Sequence, residues 1–402
     1  MTYKVFMDNP YVREMDGKIT KKEFKDGKTY LQLDKTIFYP NLAGGQPMDY
    51  GMINGLEIMK VYEEGDEIIH IVKGELKTNR VHMEIDWDRR FDLMQQHSGE
   101  HLLASSFYRL FNATNTGIHI GNEINTINIA KAYLTEDEAK QVEFLANKVI
   151  QSNFRIKSYT LNRDQLSRIP LRKETSIEDE EIRIIEIENI DYAACCGTHV
   201  SNTGEIGIIK ILKWYRYKGN IRVEFICGSR ALKDYFFKNH YINEIGTLLS
   251  AQDLDVLNRV NKLYSEKEAL EEENKKLRQE LYKIKGEQLL KEAKKEKDIH
   301  FIIKSLTKTD AKEINIIASD LNKNQGKLIQ IYSIANDEMG QFLISRSKDL
   351  TIDLSDVFEE VSKKIIIKGG GNSQQIQGTA PISTLGKVID MFKTEINKRI
   401  KG

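Results

Sequence analysis

The stretch Gln96-His97-Ser98-Gly99-Glu100-His101-Leu102 places two histidines four residues apart. The surrounding segment, residues 87–111, is predicted to be a helix because its apolar positions recur at three- and four-residue spacing. One face of that helix carries Leu93, His97, His101, Ala104 and Tyr108. Side chains at positions i and i+4 share a helix face, so His97 and His101 can reach a single metal ion. The rest of the chain must then fold so as to complete that site.

A second pair of metal-ligand residues occurs in Cys195-Cys196-Gly197-Thr198-His199. Cysteine and histidine are the usual ligands of zinc, and Gly197 allows so short a loop to wrap tightly around an ion. We therefore predict a Zn²⁺ site formed by His97, His101, Cys195 and His199, with Cys196 as an alternative to Cys195. Four protein ligands are typical of a structural zinc, whereas a catalytic zinc usually has three and an open position. Hydrolysis would require one displaceable ligand or a fifth position.

A rival interpretation starts from the same helix. His97-Ser98-Gly99-Glu100-His101 fits the H-x-x-E-H pattern of inverzincin peptidases, in which Glu100 would be the general base. Such peptidases complete their site with a carboxylate. The Cys195 and His199 pair argues against this alternative.

Composition limits the other possibilities. The 402 residues are enough for several domains, and 60 basic residues balance 60 acidic ones, so nucleic acid could be bound only through local basic patches. Three cysteines are too few for a disulfide framework, which favours a reducing compartment. Residues 1–18 contain acidic side chains and no apolar run, so we expect no signal peptide, no membrane span and a cytoplasmic location.

The pattern along the chain predicts an α+β protein in four parts. Residues 1–85 form a β-barrel-like domain, residues 86–242 an α/β zinc domain, residues 243–298 a helical segment and residues 299–402 a C-terminal α/β domain.

Individual elements are predicted within these parts. A helix at residues 135–151 begins with a capping box of Thr135 and Glu138. Strands are expected at residues 314–317 and 328–332, and the last helix at residues 383–399.

The helical segment has a heptad pattern. Its first row consists of Val256, Leu263, Leu270, Leu277 and Ile284. The second row consists of Val260, Lys267, Asn274 and Leu281. This spacing predicts a coiled coil that dimerises the chain or a helical hairpin within it, and a long solvated helix is the alternative. Lys267 and Asn274 would weaken the pairing and fix its register.

The two metal motifs and their flanks resemble the editing domain of alanyl-tRNA synthetases and the free-standing editing proteins called AlaX. Matching segments are residues 36–40, 44–47, 96–103, 183–187, 195–200, 203–207 and 222–228. A heptad region followed by Gly369-Gly370-Gly371 is similar to the synthetases' C-terminal domain, so the chain resembles the long form of AlaX. Residues 1–35 are too few for an aminoacylation domain, and no Asp-His-His of the related DHH phosphoesterases occurs.

The resemblance implies trans-editing, the hydrolysis of mischarged tRNA(Ala) that carries serine or glycine. Zinc suits this reaction because it polarises a carbonyl or lowers the pKa of bound water to about 7. By the same resemblance, Thr36 and Gln46 line the pocket, and Thr36 can hydrogen-bond the hydroxyl of serine. An ordinary strand threonine and a turn glutamine are the alternatives for these two residues.

The sequence departs from the family pattern at three points. The segment before Gly44 is one residue longer than usual, Cys196 replaces a glycine, and Asn128 stands where relatives often have aspartate. These departures concern the position of Gln46 and the shape of the ligand loop.

Basic residues that could contact tRNA cluster in two places. Arg172 and Lys173 form one group, and Arg216 and Lys218 form another that is interleaved with aromatic residues. The backbone amides of Gly369, Gly370 and Gly371 could contact a phosphate. By the resemblance, the C-terminal domain that contains them would help to hold tRNA or would dimerise. Solvated charges and a plain glycine turn are the alternatives. A third interpretation of the whole chain is therefore a non-catalytic tRNA-binding scaffold with a structural zinc.

Overall fold

The computed structural model describes residues 1–41, 45–174, 180–307, 311–335 and 339–401. Contacts divide the chain into two compact units, Met1–Leu248 and Leu249–Gly402. The finer four-part division expected from the sequence stays a prediction. Gly44 and the extra residue before it lie outside the described residues.

The first unit begins with a closed β-barrel of strand order β2-β3-β7-β6-β5-β8. The elements up to its last strand are β1 (Tyr3–Lys4), α1 (Val5–Asp8), β2 (Glu14–Lys25), β3 (Lys28–Leu33), β4 (Lys35–Thr36), β5 (Gly51–Ile53), β6 (Leu56–Glu64), β7 (Glu67–Lys73) and β8 (Arg80–Ile85). Asp26 and Gly27 both have positive φ, which suits the tight hairpin between β2 and β3. Alternate residues of β3 and β8 point inward and fill the barrel core.

A long buried helix, α2 (Trp87–Phe111), follows the barrel. The side chain of Asp86 caps its first turn by accepting a hydrogen bond from the Arg89 amide, and Asn112 ends it in the left-handed conformation. Sixteen of its residues, from Arg90 to Phe107, are buried, so it is surrounded by protein on most sides. The predicted bounds of this helix are therefore confirmed.

Two sheets and further helices enclose α2. The elements are β9 (Asn115–Ile120), β10 (Asn125–Ile129), α3 (Glu136–Gln151), β11 (Ile156–Asn162), α4 (Arg163–Leu166), β12 (Glu181–Ile187), β13 (Asp191–Ala194), β14 (Ile209–Tyr217), β15 (Asn220–Cys227) and α5 (Gly228–Leu249). The sheet orders are β14-β15-β10-β9 and β11-β12-β13. The capping box of Thr135 and Glu138 on α3 is confirmed. Gly99 lets α2 approach β15 closely, since a Cβ there would lie 2.2 Å from the sulfur of Cys227.

The second unit is a helix followed by a layered α/β domain. Its elements are α6 (Val256–Lys291), β16 (Lys294–Glu296), β17 (Ile299–Thr307), α7 (Ala311–Asn324), β18 (Leu328–Ala335), β19 (Met339–Arg346), α8 (Leu354–Ser362), β20 (Lys368–Gly371), β21 (Gln375–Pro381) and α9 (Ile382–Lys401). The sheet order is β16-β17-β18-β19-β21-β20, and separate apolar clusters cover its two faces. The predicted strand at β18 and the last helix are confirmed.

One predicted strand is wrong. Residues 314–317 lie in α7, where Ile314, Ile317, Ala318 and Leu321 form the buried face. Their spacing of three and four residues is helical, and the short Ile-rich run concealed it.

Across the described residues, no helix combines the length and apolar character that crossing a bilayer requires.

Candidate metal centre

The four predicted metal ligands converge in the first unit. One ligand atom each from His97, His101, Cys195 and His199 lie within 4.8 Å of one another, and all four residues are buried. The sulfur of Cys195 lies 3.4 Å from Nε2 of His97 and 3.4 Å from Nε2 of His199. Cys196, by contrast, is exposed. Of the two adjacent cysteines, Cys195 is therefore the one within reach of the histidines.

Arg183 on β12 fixes the ligand loop, residues 195–199. Its guanidinium donates hydrogen bonds of 2.9 Å to the carbonyls of Cys195 and Gly197, and a third bond reaches the carbonyl of Met7. The amide of Gly197 in turn donates to the sulfur of Cys195 at 3.4 Å. These bonds hold the loop against β12 and the N-terminal segment.

Gly197 is required by space. A Cβ on this residue would lie 2.0 Å from Cε1 of His97, far inside van der Waals contact. The loop can therefore pass over the imidazole only without a side chain at this position.

Two of the three histidines have their second ring nitrogen engaged. Nδ1 of His97 lies 2.9 Å from Oε1 of Gln46, and Nδ1 of His199 lies 3.1 Å from Oγ of Ser98. Both contacts leave Nε2 of the ring directed into the cluster, towards the sulfur of Cys195. This is the arrangement expected around a metal, where a neighbouring polar group orients each imidazole. Gln46 therefore contacts a candidate ligand, and its place in a substrate pocket stays a prediction.

The electrostatics suit a metal ion better than a proton. Burial lowers the pKa of His97 to about 3 and the pKa values of His101 and His199 well below their usual value, so all three imidazoles are neutral. Burial also raises the pKa of the Cys195 thiol to about 12. A bound cation would displace that proton and create the thiolate ligand. Three neutral imidazoles and one thiol therefore fit a zinc ion.

Glu100 is buried beside the cluster. Its Oε2 lies 4.0 Å from Nε2 of His101, and its Oε1 accepts a hydrogen bond of 3.1 Å from Asn115. Burial raises the pKa of Glu100 to about 7, the range in which a carboxyl group can exchange protons at neutral pH.

Thr36 is fully buried at the end of β4. Its Oγ1 lies 2.8 Å from Nε2 of His70 and accepts a hydrogen bond from the Phe38 amide. These partners belong to the barrel. The assignment of Thr36 to substrate recognition stays a prediction.

An ion-pair network that was not foreseen lies next to His101. Arg172 is buried and pairs with Asp191 through two bonds of 2.8 and 3.3 Å. Its third nitrogen donates to Asn115 at 2.7 Å, and Asn115 contacts Glu100. The expectation that Arg172 faces tRNA is wrong, because its charge is enclosed and neutralised by Asp191. The only signal for this pair in the sequence is that two residues of opposite charge, Arg172 and Asp191, lie close to strands.

The other residues assigned to tRNA are more open. Lys173, Arg216 and Lys218 are exposed. Near Lys218, the Arg222 guanidinium stacks 3.4 Å from the centre of the Tyr217 ring, and Arg222 donates to Asn128 at 2.8 Å. The family departure at Asn128 therefore lies on this polar sheet face.

The glycine run lies in the second unit. Gly369 to Gly371 form the edge strand β20, which lines a cavity of about 710 Å³ together with Lys368 and Thr379. Their contact with tRNA stays a prediction.

A small cavity opens beside the cluster. Its volume is about 270 Å³, and His199, Arg183, Arg155, Lys157 and Ser201 are among its lining residues. Three basic side chains, those of Arg155, Lys157 and Arg183, therefore line a cavity that adjoins the candidate metal centre.

The sequence of the chain is similar to known proteins over most of its length. Residues 182–224 match the family described as the threonyl and alanyl tRNA synthetase second additional domain. The chain is 31% identical to the alanyl-tRNA editing protein AlaX-L of Pyrococcus horikoshii over 396 residues, which cover 94% of each protein. It is 30% identical to the alanyl-tRNA editing protein Aarsd1 of Danio rerio over 357 residues, covering 87% of this chain and 84% of that protein.

A synthetase is also similar. The alanine–tRNA ligase of Ignicoccus hospitalis is 27% identical over 419 residues, and the match spans 97% of this chain but 42% of the ligase. The chain belongs to the family of alanyl-tRNA editing proteins.

Proposed function

We propose that this protein is a zinc-dependent hydrolase that deacylates mischarged tRNA(Ala) carrying serine or glycine. The observation that carries the proposal is the buried cluster of His97, His101, Cys195 and His199 in a chain of this family. When bound there, zinc would polarise the ester carbonyl or lower the pKa of a bound water to about 7.

The surrounding side chains have defined parts in this proposal. Glu100, with its pKa near 7, takes a proton from the attacking water and returns it to the leaving 3′ oxygen. Gln46 holds His97 in the orientation that presents Nε2. The buried hydroxyl of Thr36, fixed by His70 and the Phe38 amide, recognises the hydroxyl of a serine ester. A fixed polar partner discriminates strongly against substrates that lack the matching group.

The nucleic-acid part of the substrate requires positive charge. We assign the contacts to Lys173, Arg216 and Lys218 on the first unit, and to Gly369, Gly370 and Gly371 on the second. Exposed cations beside stacking tyrosines are the usual means of holding RNA. Because tRNA is aminoacylated in the cytosol, we propose a cytoplasmic location for the protein.

The test uses the purified full chain with Ser-tRNA(Ala), Gly-tRNA(Ala) and correctly charged Ala-tRNA(Ala). We expect hydrolysis of one or both mischarged species and little of the third. His97→Ala combined with His101→Ala should abolish it. Normal deacylation by this double variant would exclude the metal mechanism, and tight tRNA binding without any hydrolysis would indicate the scaffold instead.

A matched pair of cysteine variants refines the ligand set. Cys195→Ser should lose metal and activity, because its sulfur contacts two imidazoles. Cys196→Ser should retain both, because this side chain is exposed. The reverse result would assign the thiolate to Cys196. A cysteine and a histidine, not a carboxylate, complete the cluster, which argues against the peptidase interpretation.

A further inference from the structure

His101 differs from the other two histidines of the cluster. Nδ1 of His97 and Nδ1 of His199 each have a side-chain partner within 3.1 Å. Nδ1 of His101 is buried and has no hydrogen-bond partner among the described residues. A buried polar nitrogen without a partner is costly, so it calls for an explanation.

Asp191 is a charged group close to that nitrogen. Its Oδ2 lies 3.8 Å from Nδ1 of His101, just beyond hydrogen-bond distance, and both side chains are at most 5% exposed. Asp191 is the first residue of β13, the strand that leads directly into Cys195. One short strand therefore joins the carboxylate beside His101 to the thiol of the cluster.

Arg172 fixes the carboxylate. It binds Asp191 through Nε and Nη2, and its own backbone amide donates to the carbonyl of Tyr192 at 3.0 Å. Nη1 of Arg172 continues to Asn115, which contacts Glu100. The residues form one connected chain from His101 to Glu100. Because both ends of this series of contacts lie beside the cluster, it can fix the orientation of His101.

We propose that Asp191, held by Arg172, is the positioning residue for His101. With a metal ion bound, the carboxylate of Asp191 would accept a hydrogen bond from Nδ1–H of His101 and so keep Nε2 directed at the cluster. Histidine ligands almost always donate their second nitrogen to such a group. Gln46, Ser98 and Asp191 would then serve the three histidines one each. This inference rests on the proposed metal centre, and goes beyond it in assigning a partner to each ligand.

A purely structural ion pair makes a different prediction. In that case Asp191 and Arg172 would only tie β13 to the neighbouring segment, and their loss would lower stability without changing the affinity for metal. The two roles therefore separate in a metal-binding measurement made on folded protein.

The experiment measures Zn²⁺ affinity of the metal-free full chain by competition with a chelating dye. Asp191→Asn keeps the shape but removes the charge, and should weaken Zn²⁺ binding roughly 10- to 100-fold. The Co²⁺-loaded variant should also show an altered visible absorption spectrum, since the ligand geometry changes. Asp92→Asn is the matched control, because Asp92 lies on α2, as His101 does, and forms an ion pair with Arg230 of α5 away from the cluster.

The outcomes are distinct. Wild-type affinity in Asp191→Asn, or an equal loss in Asp92→Asn, would overturn the inference and leave the proposed function standing. A wild-type protein that deacylates its substrate but binds no metal would overturn the metal centre and the inference with it.

A second variant covers the case in which Asp191→Asn does not fold because Arg172 is left buried and unpaired. The combination Asp191→Asn with Arg172→Gln removes both charges together, which is the less costly change. It should fold, as judged by circular dichroism, and should show the same weakened Zn²⁺ binding. Wild-type affinity in this folded double variant would equally overturn the inference.

Discussion

At the scale of single residues, the cluster depends on close contacts between segments that are distant in the sequence. Gln46 reaches His97 across 51 positions, and its amide nitrogen also donates to the hydroxyl of Thr198 at 2.9 Å. It therefore joins the barrel segment, α2 and the ligand loop at one point. A small change at this point should therefore alter the geometry of the whole cluster.

Gly197→Ala tests how tight this junction is. The added methyl group would meet the His97 ring at about 2 Å, so either the ring or the loop must move. Overpacking of this kind typically costs about 1–3 kcal/mol. We expect most of the bound metal and the deacylation activity to be lost, as measured by metal analysis of the purified protein and by the ester assay.

The control for this change is Gly386→Ala, whose added Cβ would meet no atom within 4 Å. Retention of full metal content in Gly197→Ala would show that the loop is less constrained than its contacts indicate.

His70 predicts a dependence of stability on pH. Burial lowers its pKa from 6.5 to about 4 in the folded protein. Below pH 6.5 the unfolded chain therefore binds a proton that the folded chain does not, so the free energy of unfolding falls as the pH falls from 6.5 to 4. The contribution of this residue should reach about 3 kcal/mol.

The measurement is urea unfolding of the metal-loaded protein at several pH values between 7 and 4. His70→Gln should show a flatter dependence than the wild type, and the exposed His240→Gln should not. Equal slopes for His70→Gln and the wild type would contradict the prediction.

Individual residues of the site differ in how well the sequence predicted them. The convergence of the four candidate ligands was predictable because each pair is local in sequence, and because cysteine and histidine at i, i+4 spacing have few other uses together. Asp191 and Arg172 were not, since charged residues are normally exposed and only the folded structure shows this pair enclosed. The contact between Gln46 and His97 spans 51 positions, so no local sequence pattern indicates it.

At the scale of elements, helix α2 positions two of the four candidate ligands, His97 and His101. Its start and end were predicted from apolar spacing alone, and the structure shows an aspartate cap at the start and a left-handed asparagine at the end. Helix α7 was missed because three isoleucines within four residues favour a strand locally, while its buried face follows the helical period. Local propensity and periodicity disagreed there, and packing decided in favour of the period.

Helix α6 carries the element-scale prediction. Leu263, Leu270, Leu277 and Ile284 repeat every seven residues and are each 53–63% exposed. Large apolar side chains in such a row are expected to pair with another helix. We therefore expect the full chain to be a dimer by light scattering, and Leu270→Glu combined with Leu277→Glu to be a monomer of unchanged helix content.

Glu268→Gln, which lies outside the heptad rows, is the control for these changes. Identical masses for the wild type and the double variant would remove the coiled-coil interpretation and favour a solvated helix.

At the scale of the whole molecule, the chain consists of two units that each have their own apolar clusters. The candidate metal centre lies wholly within the first unit, and the glycine-lined cavity wholly within the second. Chemistry and part of the substrate binding are therefore expected to be separable.

Removing the second unit tests that separation. A protein of residues 1–248 should keep the kcat of the full chain, because every proposed ligand and Glu100 are present. Its KM for mischarged tRNA should rise, and its KM should depend less steeply on salt concentration, because fewer phosphate contacts remain. Full-length values of KM at every salt concentration would argue against any contact of the second unit with tRNA.

The sequence separation of the ligands has a consequence for folding. His97 and Cys195 stand 98 positions apart, so an ion that joins them would close a large loop in the manner of a covalent cross-link. Closing a loop of this size restricts the unfolded chain by the equivalent of about 4–5 kcal/mol in the disulfide case. Removal of metal by a chelator should then lower the melting temperature of the first unit and expose it to proteolysis. An ion bound at this cluster would therefore stabilise the first unit in addition to its proposed part in the reaction.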